Sequence, residues 1–469
     1  MTLEIVLTTV VAICLGYLLL TKLTYIVLAL VGGLENGVRR QESVTQDFGT
    51  LASSRFTIPV SVILAAYNEE KAIVPTIDSL LALDYPEHEV IVVNDGSTDE
   101  TVERLRGVYG LVPYEIFVRR VFDTQEVRAV YRSSVHQNLV VVDKANGGKA
   151  DALNAGLNVA RYRYVCGVDA DTVFDRDALL KGMRLVVQDP GRVVGVTSHV
   201  AVAVDPARTM AAPHGRRPVE PRTFVAYQHL DYLRAFFNNR LAWSRLGFML
   251  CSIGAFQIWR RDVLEEVGGY ARGFTCEDIE LTFRVHEKFL REKRDYAVLC
   301  LPDTVGTTEG PDTVRKLVSQ RERWQRVIAE TVWHYRRMWF NPRYRTVGLV
   351  GAPFYLVTEV LAPAVELLTV VSLVLSLALG MFDLTAFLVM VGAISFTSAA
   401  LTAGAILLDD LQSREYRPRD LVRLVLLAPL DLVVYRPIVF WARIKGSWRF
   451  LRGDKHWHKF ERNTRVLTS

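Results

Sequence analysis

The chain has 469 residues and a mass of 52.9 kDa, enough for two or three domains. Half of its residues are hydrophobic and its mean hydropathy is +0.17, high for a soluble enzyme, while 56 basic against 51 acidic residues leave a net charge of +5. The five cysteines, Cys14, Cys166, Cys251, Cys276 and Cys300, have neither CxxC nor Cys/His spacing, which excludes a disulfide framework and a zinc site and fits a reducing compartment.

Apolar residues concentrate at the two ends. Between Ile5 and Leu34 the only charged residue is Lys22, and a span of the bilayer needs about 20 such residues, so residues 1–34 read as an N-terminal transmembrane helix. A cleaved signal peptide would open with positive charge and have a shorter apolar core, whereas this chain opens Met1, Thr2, Leu3, Glu4. Arg39 and Arg40 follow the apolar run and no basic residue precedes it. The positive-inside rule then expects an integral plasma (inner) membrane protein whose catalytic domain is cytoplasmic.

The character changes over residues 55–328. "IPVSVILAAYNEE" is a β-rich run ending in polar residues, and "AIVPTIDSLLAL" has helical spacing. The strand-to-polar-turn pattern recurs in "HEVIVVNDGSTDET", in "NLVVVDKANGGKADALNAGLNVAR" and in "RYVCGVDADTVFDRDALLKGM". Strands alternating with helices predict an α/β, Rossmann-like domain with a mostly parallel sheet. Ligands bind such sheets outside the carboxyl ends of the strands, where these charged turns fall. Asp95 is placed to accept hydrogen bonds from a base or ribose. Gly147 and Gly148 let the backbone approach a phosphate, and Lys144 and Lys149 carry charge to match it. Asp169 and Asp171 diverge if their strand continues and converge if it has turned. Converged, they suit a hard divalent cation, which takes one or two carboxylates and completes its shell with phosphate oxygens.

Further on, residues 205–221 are Pro-rich and basic and read as a surface loop, with a lid over donor or acceptor as the alternative. His286 and His334 have no partner at metal spacing. Residues 329–345 interleave Trp333, Trp339 and Phe340 with Arg336 and Arg337, which suggests an amphipathic helix lying in the membrane interface; a core helix is the competing reading. Residues 346–444 form a C-terminal transmembrane region with at least two crossings, and Leu421 to Ala442 either crosses as well or lies in the interface. Glu359 and Glu366 share a helical face there and are expected to face protein or a polar path. Small residues around Gly392 to Gly404 suggest close helix packing. Residues 445–469 are a basic aromatic tail that suits a cytoplasmic leaflet better than nucleic acid.

In order, "AAYNEE", "VNDGSTD", "NGGKADALNAG", the "DAD" pair, "GAFQIWRRD", "CEDIELTFR" and "QRERW" resemble family 2 glycosyltransferases of GT-A fold. The resemblance is to the membrane-embedded branch of cellulose, chitin, hyaluronan and poly-N-acetylglucosamine synthases, and it covers Pro59 to Trp324. It implies a donor site of Ala65, Tyr67, Glu69, Asp95, Lys144, Lys149, Asp169 and Arg323. It further implies Mg2+ or Mn2+ on Asp169 and Asp171, Asp278 as general base beside Glu277, and an acceptor site of Gly254, Phe256, Gln320 and Trp324. Cys276 stands where many polymerising relatives carry threonine. The implied activity is inverting transfer from a nucleotide sugar, such as UDP-N-acetylglucosamine, to a membrane-associated polysaccharide, with an accessory membrane subunit as a further partner. Single transfer to a lipid carrier or glycolipid, a nucleotide-sensing transporter and a silent partner subunit are the alternatives.

Overall fold

The structure is a computed structural model that describes residues 2–45, 57–116, 120–210, 219–381, 383–413 and 416–454. It divides into an α/β unit, chiefly Gly37–Pro218 and Leu246–Gly310, and a helical unit of Met1–Asn36, Val219–Arg245 and Pro311–His458.

The α/β unit is built on strands β1 (Val60–Ala66), β2 (His88–Asp95), β3 (Leu111–Pro113), β4 (Val127–Ser133), β5 (Leu139–Lys144), β6 (Tyr164–Asp169), β7 (Thr172–Phe174), β8 (Val193–Ala203), β9 (Phe256–Arg260) and β10 (Ala297–Glu309). They form one sheet in the order β3-β4-β5-β2-β1-β6-β9-β8-β10-β7. The segment β5-β2-β1-β6 is parallel, as the alternating pattern predicts, and β4, β9 and β7 join antiparallel. In β1 and β2 nearly every residue is buried, because helices cover both faces; hence these strands are continuous apolar runs rather than alternating ones. Helix Lys149–Val159 connects β5 to β6. The chain order reverses at β1, between β2 and β6, which makes the crevice at the carboxyl ends of these strands a topological switch point. Register puts Ala65 beside Asp169 and Asp95 beside Lys144, so the polar turns all open at that edge.

In the helical unit, Ile5–Glu42 and Leu384–Gln412 are long and apolar enough to cross a membrane. Two bent pairs, Val347–Val360 with Ala362–Ala378 (40°) and Pro418–Val434 with Arg436–Leu451 (48°), raise the number among the described residues to four if each is one span. Pro363 and Pro437 lie in the first turn after each bend, where a missing N–H costs no helical hydrogen bond.

Several expectations change. The N-terminal helix does not stop near Leu34 but runs Thr2–Thr45 and carries Arg39 and Arg40. The separate interfacial helix expected at 329–345 is absent as such. One helix, Val314–His334, contains both "QRERW" and "ETVWH", since no glycine or proline separates them, and the breaks come at 3-10 turns 336–338 and 342–344. Helix Arg436–Leu451 takes up Trp448 and Arg449 from the expected tail, of which residues 455–469 lie outside the described residues. Within 205–221, Pro206–Met210 is a short helix, and 211–218 lie outside the described residues. A Cβ added at Gly392 or Gly404 would meet nothing within 4 Å, so these glycines do not mark close packing; Ser398 and Thr402 between them instead accept from Lys22 (2.6 Å) and Arg234 (3.1 Å). Glu359 and Glu366 face protein: both reach Arg443, at 3.3 and 3.5 Å.

Candidate active site

The first two turns bind each other. Asn68 N donates to Ser97 Oγ (2.9 Å), Thr98 N to Asn68 Oδ1 (2.7 Å), and Glu69 N to Thr101 Oγ1 (2.9 Å). This joins the Tyr67–Glu69 turn after β1 to the turn after β2, with Ala65 in register beside Asp169.

The glycine turn after β5 is held from below. Gly147 N and Gly148 N donate to the two carboxylate oxygens of Asp95 at 3.0 and 2.8 Å, and Asn146 Nδ2 donates to the Asp95 carbonyl at 2.8 Å. Gly148 has φ +86°, a conformation that glycine adopts without strain, and it leads directly into helix Lys149–Val159. Lys144 completes this arrangement. Its Nζ lies 2.6 Å from Asp95 Oδ1, 2.7 Å from Asp151 Oδ1 and 2.6 Å from the Ala145 carbonyl, with 0% of its side chain exposed. The expectation that Lys144 offers charge to a donor phosphate is therefore corrected: a buried ammonium with all three protons placed has none left for a ligand. Asp95 likewise turns inward. Three donors occupy its carboxylate, out of about four lone-pair sites. Burial lifts its carboxyl above the ordinary value, against the pull of Lys144 and the two amides.

Lys149, at the start of the helix, points to the acidic cluster. Its Nζ is 2.7 Å from Asp169 Oδ1 and 2.8 Å from Glu277 Oε1, and 36% of the side chain is exposed. Burial opposes its charge, yet Asp169, Glu277 and Asp278 hold it well above the ordinary lysine value. Asp278, in the first turn of helix Glu277–Arg291, accepts from Gly254 N through Oδ2 (2.9 Å) and from Ile279 N through Oδ1 (2.6 Å). The Cys276 thiol donates to Asp278 Oδ1 at 3.0 Å, the bond a threonine hydroxyl would make there. Burial and then the Asp278 and Glu277 carboxylates push this thiol far up, so it is neutral and not a nucleophile. Gly254 is where the cluster closes. A Cβ there would stand 2.8 Å from Lys149 Nζ, 3.3 Å from Asp278 Oδ2 and 3.7 Å from Glu277 Oε1, so only glycine fits without displacing them.

The strand β6 ends at Asp169 and turns before β7, so Asp169 and Asp171 fall on the turned alternative of the sequence reading. Thr308 on β10 donates to Asp171 Oδ1 at 3.2 Å. Burial, then the neighbouring Asp169, push the Asp171 carboxyl up to about 6, against Lys149 and Thr308. Among the described residues no three His, Cys, Asp or Glu side chains form a complete metal site. Two carboxylates at a strand end fit a hard cation whose other ligands are phosphate and water oxygens.

Two acceptor expectations come out differently. Phe256 is 1% exposed and packs on Phe174 (ring centroids 6.1 Å), because β9 is buried on both faces, so its ring belongs to the core. Gln320, Arg323 and Trp324 all stand on helix Val314–His334 of the helical unit; there the Trp324 ring packs against Tyr232 at 6.0 Å. Sequence reasoning missed Asp151, Arg272 and Thr308. Asp151 carried a signal, an acidic residue in the first turn after the glycines, while Arg272 (3.0 Å from Asp151) and Thr308 come from distant segments with none.

Residues 61–268 match the model of the family described as "Glycosyl transferase family 2". The poly-beta-1,6-N-acetyl-D-glucosamine synthase of Staphylococcus epidermidis is 27% identical over 266 residues, 56% of this chain and 53% of the relative. The synthase of the same name from Staphylococcus aureus strain COL is 26% identical over 269 residues, with the same coverage. The chain thus spans about half the length of the curated relatives it matches. A mannosyltransferase from Pyrobaculum calidifontis, solved in complex with GDP-Man and Mn2+, superimposes with a TM-score of 0.50 at 19% identity, covering 88% of this chain and 99% of the other. Over residues 61–268 the chain is therefore similar to family 2 glycosyltransferases, and the likeness to the mannosyltransferase supports a GT-A fold.

Proposed function

We propose that the chain transfers a hexosyl or N-acetylhexosaminyl group from a nucleotide sugar to a growing membrane-associated polysaccharide, with inversion at the anomeric carbon. The observation that carries this reading is the convergence of Lys149, Glu277 and Asp278 on Gly254, with Asp169 on the same Lys149 ammonium, at the carboxyl edge of the sheet. The likeness to the staphylococcal poly-beta-1,6-N-acetyl-D-glucosamine synthases supports a polymer product.

In this account the donor diphosphate lies against the amino end of helix Lys149–Val159, where free N–H groups and the Lys149 ammonium face it. Asp169 and Asp171 hold Mg2+ or Mn2+, which when bound neutralises charge on the leaving diphosphate. Asp278 takes the proton of the acceptor hydroxyl while its oxygen bonds to the anomeric carbon; the old bond's electron pair leaves with the diphosphate. Gly254 N and Ile279 N fix the Asp278 carboxylate for that task. Glu277 holds Lys149, and with Asp278 as the base on the acceptor side a single in-line displacement inverts configuration. The candidate spans anchor the domain at the bilayer, on the cytoplasmic side where nucleotide sugars are made.

The test is to incubate detergent-purified full-length protein with UDP-, GDP- and dTDP-sugars and Mn2+, and to measure nucleotide release and product length. Release with one donor and a ladder of long products is expected. Adducts of one sugar would point to a lipid or glycolipid acceptor, and no release with any donor would remove the transferase reading.

A further inference from the structure

Within "QRERW" the resemblance assigns roles to Gln320, Arg323 and Trp324 and leaves Arg321 without one. Yet Arg321 is firmly anchored. It is 7% exposed, and its Nη2 lies 3.0 Å from Asp231 Oδ2 and 3.0 Å from the Tyr435 hydroxyl. Its guanidinium carbon stands 4.1 Å from the centroid of the Trp324 ring and 5.8 Å from that of Tyr232. Asp231 and Tyr232 are neighbours on helix Thr223–Leu233, so one helix supplies both the carboxylate that holds Arg321 and a ring that packs on Trp324. Asp231 is itself fixed by Arg234 (3.2 Å) and Arg436 (3.8 Å).

We infer that Arg321, locked by Asp231, is the positioning residue that sets the orientation of the Trp324 indole as a docking platform for the acceptor sugar. The inference rests on the proposed reading that Trp324 borders the acceptor. A planar guanidinium stacks on an indole face and is attracted by the ring quadrupole. Because Asp231 and Tyr435 prevent the guanidinium from following, any rotation of the indole loses that contact. Trp324 is only partly buried, so some ring surface is left for the apolar C–H face of a pyranose. Lysine keeps the charge toward Asp231 but has no planar fork to stack.

The experiment compares wild type, R321K, W324F and the double variant as full-length protein in detergent, with the active donor and a short β-linked N-acetylglucosamine oligosaccharide as acceptor. R321K should raise the acceptor KM about tenfold, the factor expected of a partly desolvated cation–π contact, with kcat and donor KM nearly unchanged. The double variant should match W324F alone, because Arg321 acts through that ring. D231N, which unlocks the guanidinium without removing it, should give a smaller rise. An unchanged acceptor KM in R321K, effects that multiply in the double variant, equal rises in donor and acceptor KM, or loss of folded protein in both R321K and D231N would each overturn the inference. Absence of nucleotide release by wild type would instead count against the transferase reading itself.

Discussion

In the α/β unit, the carboxylates of Asp169, Asp171, Glu277 and Asp278 share the ammonium of Lys149, and among the described residues the cluster is net negative. In the helical unit, Asp231 and Asp431 meet Arg234, Arg321 and Arg436 at 2.9–3.8 Å, and each carboxylate touches at least two guanidinium groups. Among the described residues the second arrangement has a cation for each carboxylate, and the first carries more carboxylates than cations. Repelling carboxylates persist in a fold when something outside the chain completes them, so the contrast separates charge kept for a ligand from charge kept for architecture.

The contrast can be broken most forcefully at Asp278. Asp278→Asn should lower transfer about a thousandfold, because a general base contributes about 10²–10⁴ in rate, while donor affinity stays near wild type; steady-state assays with donor titration check both. Next comes Lys144, which belongs with the architectural charges although it sits beside the site. Lys144→Met leaves Asp95 and Asp151 buried without their shared cation and should cost about 3–5 kcal/mol in denaturant unfolding of the α/β unit.

A pH experiment sharpens the same division. Burial lowers His286, which touches Tyr296 Oη and the Met249 carbonyl, to about 4. The unfolded imidazole binds its proton near pH 6.5, so between 6.5 and 4 the unfolded state holds more protons and stability falls as pH falls. The loss should be on the order of 3 kcal/mol, complete near pH 4, and His286→Gln should flatten it in urea melts across that range. The smallest effect is expected at Asp431. Asp431→Asn keeps an acceptor toward Arg234 and Arg436 but loses charge, and should cost about 1–3 kcal/mol with donor binding unaffected.

The sheet and the three polar turns were legible because apolar strand runs end abruptly in Asn, Asp and Gly, a pattern that depends only on local sequence. Lys144 and Lys149 could not be told apart in this way. Both flank the same glycines, and only the register of Asp95 with Lys144 and the turn that brings Asp151 underneath decide which lysine is buried. Phe256 was misplaced for a similar reason: β9 joins antiparallel between β6 and β8, a pairing set by distant segments, and this buries a ring that follows an exposed-looking "SIGA". The continuous helix through Trp324 and His334 was hidden by composition. A change from charged to aromatic residues looks like a boundary, although nothing there interrupts the backbone hydrogen bonds.

The central claim is that the carboxylate cluster at the strand edge binds a nucleotide sugar through a divalent cation and consumes it. Calorimetric donor binding to wild type and to the paired variant Asp169→Asn, Asp171→Asn, each with and without Mn2+, tests it most directly. The account predicts Mn2+-dependent binding in wild type that the paired variant loses by at least about tenfold. Equal donor affinity in all four arms would contradict it.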